Sequence, residues 1–162
     1  GPQVASVKIA GSRDWTAFFL CRSGSIVEEN ARLCPRTMAA LEGVPLAWAE
    51  GATPSILFSV LEPGAHIPPH NGMVNTRLIC HLPVITPAGC TLRVGAEHRD
   101  WRQGETLIFD DSIEHEAWNR GSATRVVLLF DIWRPELSEL ERRAVSAFLA
   151  AQARSDGNGL TN

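Results

Sequence analysis

The stretch Pro63-Gly64-Ala65-His66-Ile67-Pro68-Pro69-His70-Asn71-Gly72 decides the fold of this chain. A Pro-Gly turn begins it, and the Pro68-Pro69 pair holds the backbone stiff and extended up to His70. A second stretch has the same grammar. Gly104-Glu105-Thr106-Leu107-Ile108-Phe109-Asp110-Asp111-Ser112-Ile113-Glu114-His115 again runs from a glycine turn through an apolar strand to a histidine. A lone histidine in a β-protein is most often a structural hydrogen-bonding residue. Two imidazoles presented from rigid strand ends suit a metal whose coordination is held open on one side.

Working outward, β-rich runs lie at Ile56 to Leu61, Arg77 to Ile85, Cys90 to Val94, Thr106 to Phe109 and Arg125 to Trp133. Gly, Pro, Asn and Asp clusters punctuate them, the pattern of a sandwich or barrel rather than of alternating βαβ units. The first fifty residues read as mixed and partly helical, with a short helix over 34–42 that has Pro35 near its first turn and Gly43 as its stop. After Pro135, Leu137, Leu140, Ala144, Phe148 and Ala151 recur at helical spacing. That predicts an amphipathic helix using this stripe to pack on the outside of the barrel. The predicted fold is therefore mainly β with flanking helices, a jelly-roll barrel with an N-terminal helical segment and a C-terminal helix. One domain is expected over 1–162, with 1–14 as an N-terminal extension and 155–162 as a polar, mobile tail.

Composition bounds the function. The 15 Lys and Arg against 18 Asp and Glu give a net charge of −3, with no basic stripe, so nucleic acid is not an expected partner. No apolar run approaches a membrane span, and none reads as a signal peptide. Four cysteines without Cys-x-x-Cys spacing predict reduced thiols and a cytoplasmic protein.

Whole segments carry a specific resemblance. Cys34-Pro35-Arg36-Thr37, Phe58-Ser59, Pro63-Gly64-x-His66-x-x-Pro69-His70-x-Gly72 and His81-Leu82 occur in that order. Phe109-Asp110-Asp111-Ser112-x-x-His115-Glu116 and Asp131-x-Trp133-x-Pro135-Glu136-Leu137 follow. Over roughly residues 15–137 the chain resembles the aspartyl/asparaginyl β-hydroxylase family of iron(II)- and 2-oxoglutarate-dependent oxygenases, which have a cupin-like double-stranded β-helix. The resemblance implies that His70 and His115 ligate Fe(II), with Gly72 where related oxygenases carry a carboxylate ligand. It implies that Ser59 and Arg125 hold the distal carboxylate of 2-oxoglutarate, that His81 contacts this cosubstrate near the metal, and that dioxygen is the second cosubstrate. A planar guanidinium fits a carboxylate fork, and an arginine entering so apolar a strand needs a partner if it points inward.

The chain departs from the family at Ile79, where many relatives have arginine. Arg77, Ile79 and His81 share one strand face, so Arg77 is a candidate for a replacement charge. Asp110, Asp111 and Glu116 read either as acceptors for the outer N–H of a ligating imidazole or, for the aspartates, as turn caps. His66 reads as a pocket or structural residue rather than a ligand. Trp101, Trp118 and Trp133 read as core or rim aromatics.

The expected function is hydroxylation of an unactivated C–H bond by a dioxygenase. Arg77, Ile79 and His66 are candidate substrate contacts, and a small or amino-acid-like molecule is favoured over a peptide or lipid. Two rivals stand beside it: a cupin-like binding or regulatory module without turnover, and a halogenase or other oxidation outcome that exploits the space at Gly72. Oligomeric state is not legible.

Overall fold

A computed structural model describes residues 15–158, with side chains through 156. The expected extension 1–14 and the last four residues of the expected tail lie outside the described residues. The elements in chain order are β1 (Trp15–Arg22), β2 (Ser25–Ile26), α1 (Glu28–Ala31), α2 (Pro35–Ala40) and β3 (Ile56–Leu61). Then come β4 (His66–His70), β5 (Arg77–Ile85), β6 (Cys90–Val94), β7 (Glu97–Asp100) and β8 (Leu107–Phe109). β9 (His115–Asn119), β10 (Arg125–Trp133) and α3 (Glu139–Asn158) complete the described residues.

Ten strands form two antiparallel sheets, one in the order β2-β1-β3-β10-β5-β8 and the other β4-β9-β6-β7. Strand alternation decides what each sheet buries. On β10, Arg125, Val127 and Asp131 face one way, while Leu128 and Phe130 face the other. One apolar cluster forms between the two sheets, from Leu61 and Val127 of the larger and Ile67, Leu92 and Ala117 of the smaller. A second covers the other face of the larger sheet, where Leu20, Ile56, Cys80 and Phe130 meet Leu41 and Leu46. Burying each of Leu20, Ile56, Leu61 and Val127 completely contributes roughly 1.5–3 kcal/mol. All four cysteines are free thiols.

Several sequence expectations are corrected. The N-terminal stretch is mixed, with α1 and α2 as its helical part, but Trp15–Arg22 within it is a strand pairing with β3. Its alternation was concealed because this strand is apolar on both faces, lying under the helices on one side and over the site on the other. The short helix spans Pro35–Ala40 and the strand before His115 only Leu107–Phe109, each trimmed at its ends. The C-terminal helix exists, but it buries Leu149 and Ala150, whereas Leu140 and Phe148 are 69% and 66% exposed. It docks along the segment following Leu46, where Ser146 Oγ donates to the carbonyl of Trp48, and that contact selects the face. Ser155 to Asn158 belong to this helix rather than to a mobile tail. Among the described residues no helix is long and apolar enough to cross a membrane.

Candidate active site

His70 and His115 are cross-strand partners in the β4–β9 pair, with ring centroids 4.1 Å apart. A register irregularity creates this pairing. Ile67 faces Ala117 and His70 faces His115, so three residues of β4 span two of β9. The extra residue, within Ile67-Pro68-Pro69-His70, is a β-bulge that reverses side-chain parity. His70 therefore shares the side of buried Ile67 and meets His115, while His66 points outward. The expectation of His66 in the pocket is thus corrected. Its ring stacks on Trp118 at 5.2 Å and its Nε2 bonds Glu116 at 2.9 Å, on the outer face of the smaller sheet.

The two site histidines are oriented alike. Nδ1 of His70 lies 2.8 Å from the carbonyl of Pro68, and Nδ1 of His115 lies 2.9 Å from that of Ile113. A carbonyl only accepts, so each Nδ1 carries a proton, and in the neutral ring the lone pair then lies on Nε2. Burial, with smaller effects from nearby charges, holds His115 below the usual imidazole range. It is a neutral donor, as metal ligation requires. The carbonyls occupy the position foreseen for a carboxylate, so Asp110 and Glu116 do not orient these rings. Asp110 caps the turn instead, accepting from the Ser112 backbone N–H at 3.0 Å and its hydroxyl at 2.7 Å and pairing with Arg134. Glu116 faces outward to Arg93 and His66.

Asp111 stands beside Gly72. The Gly72 N–H donates to the Asp111 backbone carbonyl at 2.6 Å. The Asp111 carboxylate fills the space that a Gly72 side chain would take. It also accepts from Arg77 Nη2 at 3.2 Å, and Arg77 Nη1 lies 3.5 Å from the Asp131 carboxylate. Arg77 is thus held between two acids. Burial raises the Asp131 carboxyl to about 6, opposed by Arg77.

Deeper between the sheets, Ser59, His81 and Arg125 come together as expected. Arg125 is 1% exposed. Its guanidinium lies 4.7 Å from the centre of the Trp101 ring, and its Nη2 donates to Ser59 Oγ at 2.9 Å. Trp15 Nε1 donates to the same oxygen at 2.8 Å. With two donors occupying its lone pairs, the Ser59 hydroxyl has its own proton free to give. Buried Arg125 Nε has no hydrogen-bond partner, and no carboxylate pairs with this cation among the described residues. Burial pulls the guanidinium down to about 10, the mark of a charge missing its counterpart. His81 accepts from Trp101 Nε1 at its Nδ1, 3.3 Å away, so its Nε2 carries a proton. Burial first, then Arg125 and His115, push its pKa down to about 3. It is a neutral hydrogen-bond donor at any physiological pH.

Loop chemistry fixes these positions. Buried Asn119 donates to the carbonyls of Leu61 and Ala123 and accepts from Gly121 N–H, pinning the connection that delivers Arg125. Ile79, 5% exposed and paired with Phe109, makes the wall between Arg77 and His81 apolar. Sequence reasoning missed Trp15, in a stretch read as mixed and partly helical, and gave Trp101 only a packing role. No local pattern marked either, since both reach the site from elements remote in sequence.

The fold and the facing imidazoles define a cupin-like β-barrel with a two-histidine site. The likeness extends to a predicted oxalate decarboxylase from Thermotoga maritima, with TM-score 0.52 at 13% identity, covering 82% of this chain and 92% of that one. The chain belongs to the aspartyl/asparaginyl beta-hydroxylase family, whose pattern matches residues 2–135. It is 38% identical over 152 residues to human aspartate beta-hydroxylase domain-containing protein 2, covering 92% of this chain and 41% of that protein. It is 38% identical to human aspartyl/asparaginyl beta-hydroxylase, covering 83% of this chain and 18% of that protein. The ornithine lipid ester-linked acyl 2-hydroxylase of Rhizobium tropici is 42% identical over 124 residues, covering 75% of this chain and 42% of that protein. The chain thus spans less than half the length of these relatives.

Proposed function

We propose that this chain is an iron(II)- and 2-oxoglutarate-dependent dioxygenase that hydroxylates an unactivated C–H bond of a small molecule. The observation that carries it is Arg125, a buried cation without a buried anion, beside a serine whose hydroxyl proton is free. A carboxylate is the ligand that satisfies both, as the distal end of 2-oxoglutarate would, and a bidentate guanidinium–carboxylate pair is among the stronger neutralising contacts available. His70 and His115 fit Fe(II), because their ring centroids lie 4.1 Å apart and each has Nδ1 engaged by a backbone carbonyl, which leaves Nε2 for a metal. Bound there, iron and 2-oxoglutarate would supply the oxidising power for C–H hydroxylation.

The chain's own groups have distinct tasks. Arg125 and Ser59 would bind the distal carboxylate, with the Trp101 face excluding water beneath the guanidinium. His81 would donate from Nε2 to a cosubstrate oxygen without changing protonation. The two backbone carbonyls hold both ligand rings in the tautomer that leaves Nε2 for the metal. Four free thiols agree with a reducing, cytoplasmic setting. The named relatives include an aspartyl/asparaginyl beta-hydroxylase and an ornithine lipid ester-linked acyl 2-hydroxylase, so hydroxylation of more than one substrate class lies among them.

The test is 2-oxoglutarate titration by calorimetry with Mn(II) in place of iron, followed by succinate release with Fe(II) in air. Wild type should bind 2-oxoglutarate only with metal present, and Arg125→Met should abolish binding while leaving metal uptake intact. If wild type binds metal but ignores 2-oxoglutarate, the dioxygenase reading is lost and a metal-dependent cupin of another chemistry remains.

A further inference from the structure

We propose that Trp101 is a positioning residue that fixes His81 as a one-way hydrogen-bond donor toward an anionic oxygen in the cosubstrate pocket. The direction of that donor is a property of the empty chain, and its use by 2-oxoglutarate rests on the dioxygenase reading.

Trp101 follows directly on β7, the edge strand of the smaller sheet, whereas His81 lies midway along β5 of the larger one. The indole crosses the space between the sheets, 5% exposed and part of the apolar cluster there. It is anchored one residue earlier, where Asp100 pairs with Thr91 in the β6–β7 ladder and accepts from the Thr91 hydroxyl at 2.7 Å. From there the ring meets two site groups at once. Its face lies against the Arg125 guanidinium, whose carbon is 4.7 Å from the ring centre. Its N–H edge reaches His81.

The chemistry of that edge runs one way, because an indole nitrogen donates and does not accept. Trp101 Nε1 lies 3.3 Å from His81 Nδ1. The two rings are within 22° of parallel, so the N–H can follow the in-plane lone pair it needs. A proton on Nδ1 would instead set two buried N–H groups against each other and leave both unsatisfied. Nothing else around the imidazole makes this choice. Phe109 meets it edge-to-face at 5.0 Å and offers no acceptor. Among the described residues no other group hydrogen-bonds the ring. Burial first, then Arg125 and His115, hold His81 neutral, and a neutral imidazole still has two tautomers open to it. One indole N–H selects between them.

The consequence is a pocket whose polar groups all donate. Arg125 offers its guanidinium, Ser59 has its hydroxyl proton free, and His81 presents Nε2–H. An ionised acid, which only accepts, fits such a pocket, and a ligand group that must donate does not. Without the Trp101 N–H, His81 could turn a lone pair to the same place and repel the oxygen it otherwise serves. Tryptophan suits this position because one ring supplies both a donor edge and a face for the cation. Phenylalanine would keep only the face.

The experiment begins with the metal-free full chain, isotope-labelled on nitrogen and read by long-range proton–nitrogen spectra of its histidine rings. His81 should carry its proton on Nε2 alone from about pH 5 to 8. Trp101→Phe should give averaged or reversed nitrogen signals at His81. Binding of 2-oxoglutarate is then measured by calorimetry with Mn(II), without oxygen. Trp101→Phe should weaken it about ten- to a hundredfold, as expected for losing a donor to a charged oxygen. In a His81→Gln background the same change should cost less than about threefold, since a glutamine amide can turn its own N–H to the ligand. A structural role, or one exercised only through Arg125, would cost the same in both backgrounds. Trp118→Phe, which alters an indole stacked on His66 outside the pocket, should match wild type in both readouts. Thermal melts check that Trp101→Phe folds. If it does not, benzothienylalanine at this position keeps the bicyclic ring and removes only the N–H.

A His81 proton on Nδ1 in wild type overturns the proposal. So does a Trp101 variant that keeps the Nε2–H tautomer, and so do equal losses of affinity in the two backgrounds. If wild type takes up metal but ignores 2-oxoglutarate, the dioxygenase reading falls, and the tautomer spectra by themselves decide the role of Trp101.

Discussion

Gly72 and Asp111 occupy one space: a Cβ built on Gly72 would sit 2.5 Å from Asp111 Oδ1, with Cγ and Oδ2 closer still. Glycine is required here by crowding rather than by backbone conformation, since Gly72 is not among the positive-φ residues. The space beside the histidines is therefore filled by a carboxylate that arrives from another loop and is held by Arg77.

Gly72→Ala should destabilise the protein by about 1–3 kcal/mol, because Asp111 must swing off Arg77 or the 71–76 loop must move. In an Asp111→Ser background the same change should cost less, with a coupling of about 0.5–3 kcal/mol. Urea melts of the four proteins in the cycle measure it. Equal costs in both backgrounds would mean that the two residues do not compete.

Arg125 should cost stability in the empty protein. Replacing a buried, uncompensated cation by an apolar side chain of similar length is neutral or stabilising by up to ~1–4 kcal/mol. Arg125→Met should hold or raise the melting temperature while removing the stabilisation that 2-oxoglutarate confers on wild type. A melt that collapses in Arg125→Met would assign the arginine a structural role instead.

His81 sets an acid limit. Its pKa falls from the usual 6.5 to about 3 on folding, so between those values the unfolded chain binds the extra proton. Its contribution is fully present above pH 6.5 and is lost as pH falls toward 3, amounting to at most ~4–5 kcal/mol. His81→Gln, which keeps an acceptor for Trp101, should flatten that part of the stability–pH curve. An unchanged slope would show that His81 is solvated when charged.

The two ligand candidates should separate in stability but not in metal binding. His115 is 9% exposed whereas His70 lies at the exposed end of β4. Both alanine variants should lose Mn(II) binding by calorimetry. Only His115→Ala should lower the melting midpoint appreciably, by about 1–3 kcal/mol of stability.

Much of this site was legible in the chain itself. His70, His115, Ser59 and His81 stand in recognisable motifs and Arg125 was implied by the family resemblance, and the structure brings the two histidines together and gathers the other three behind them. Five β-rich runs were readable because alternation and turn residues are local properties. Trp15–Arg22 was not, since a strand with apolar residues on both faces loses the period that identifies it. Arg77 was legible as a cation but not as one closed between Asp111 and Asp131, which lie far along the chain.

Two outcomes separate what the sequence determined by itself from what tertiary structure decided. Residue order fixed the family, the strand set and the identity of the chemical groups, because these follow from side-chain type and short-range spacing. Which way those groups point was decided in three dimensions. A single extra residue in β4 turns His70 inward and His66 outward, since a period of two reverses on any one-residue shift. Packing of α3 on the segment after Leu46 buries Leu149 and Ala150 and leaves Phe148 in the open. A helix offers several faces, and the neighbour it docks against selects the one that is buried.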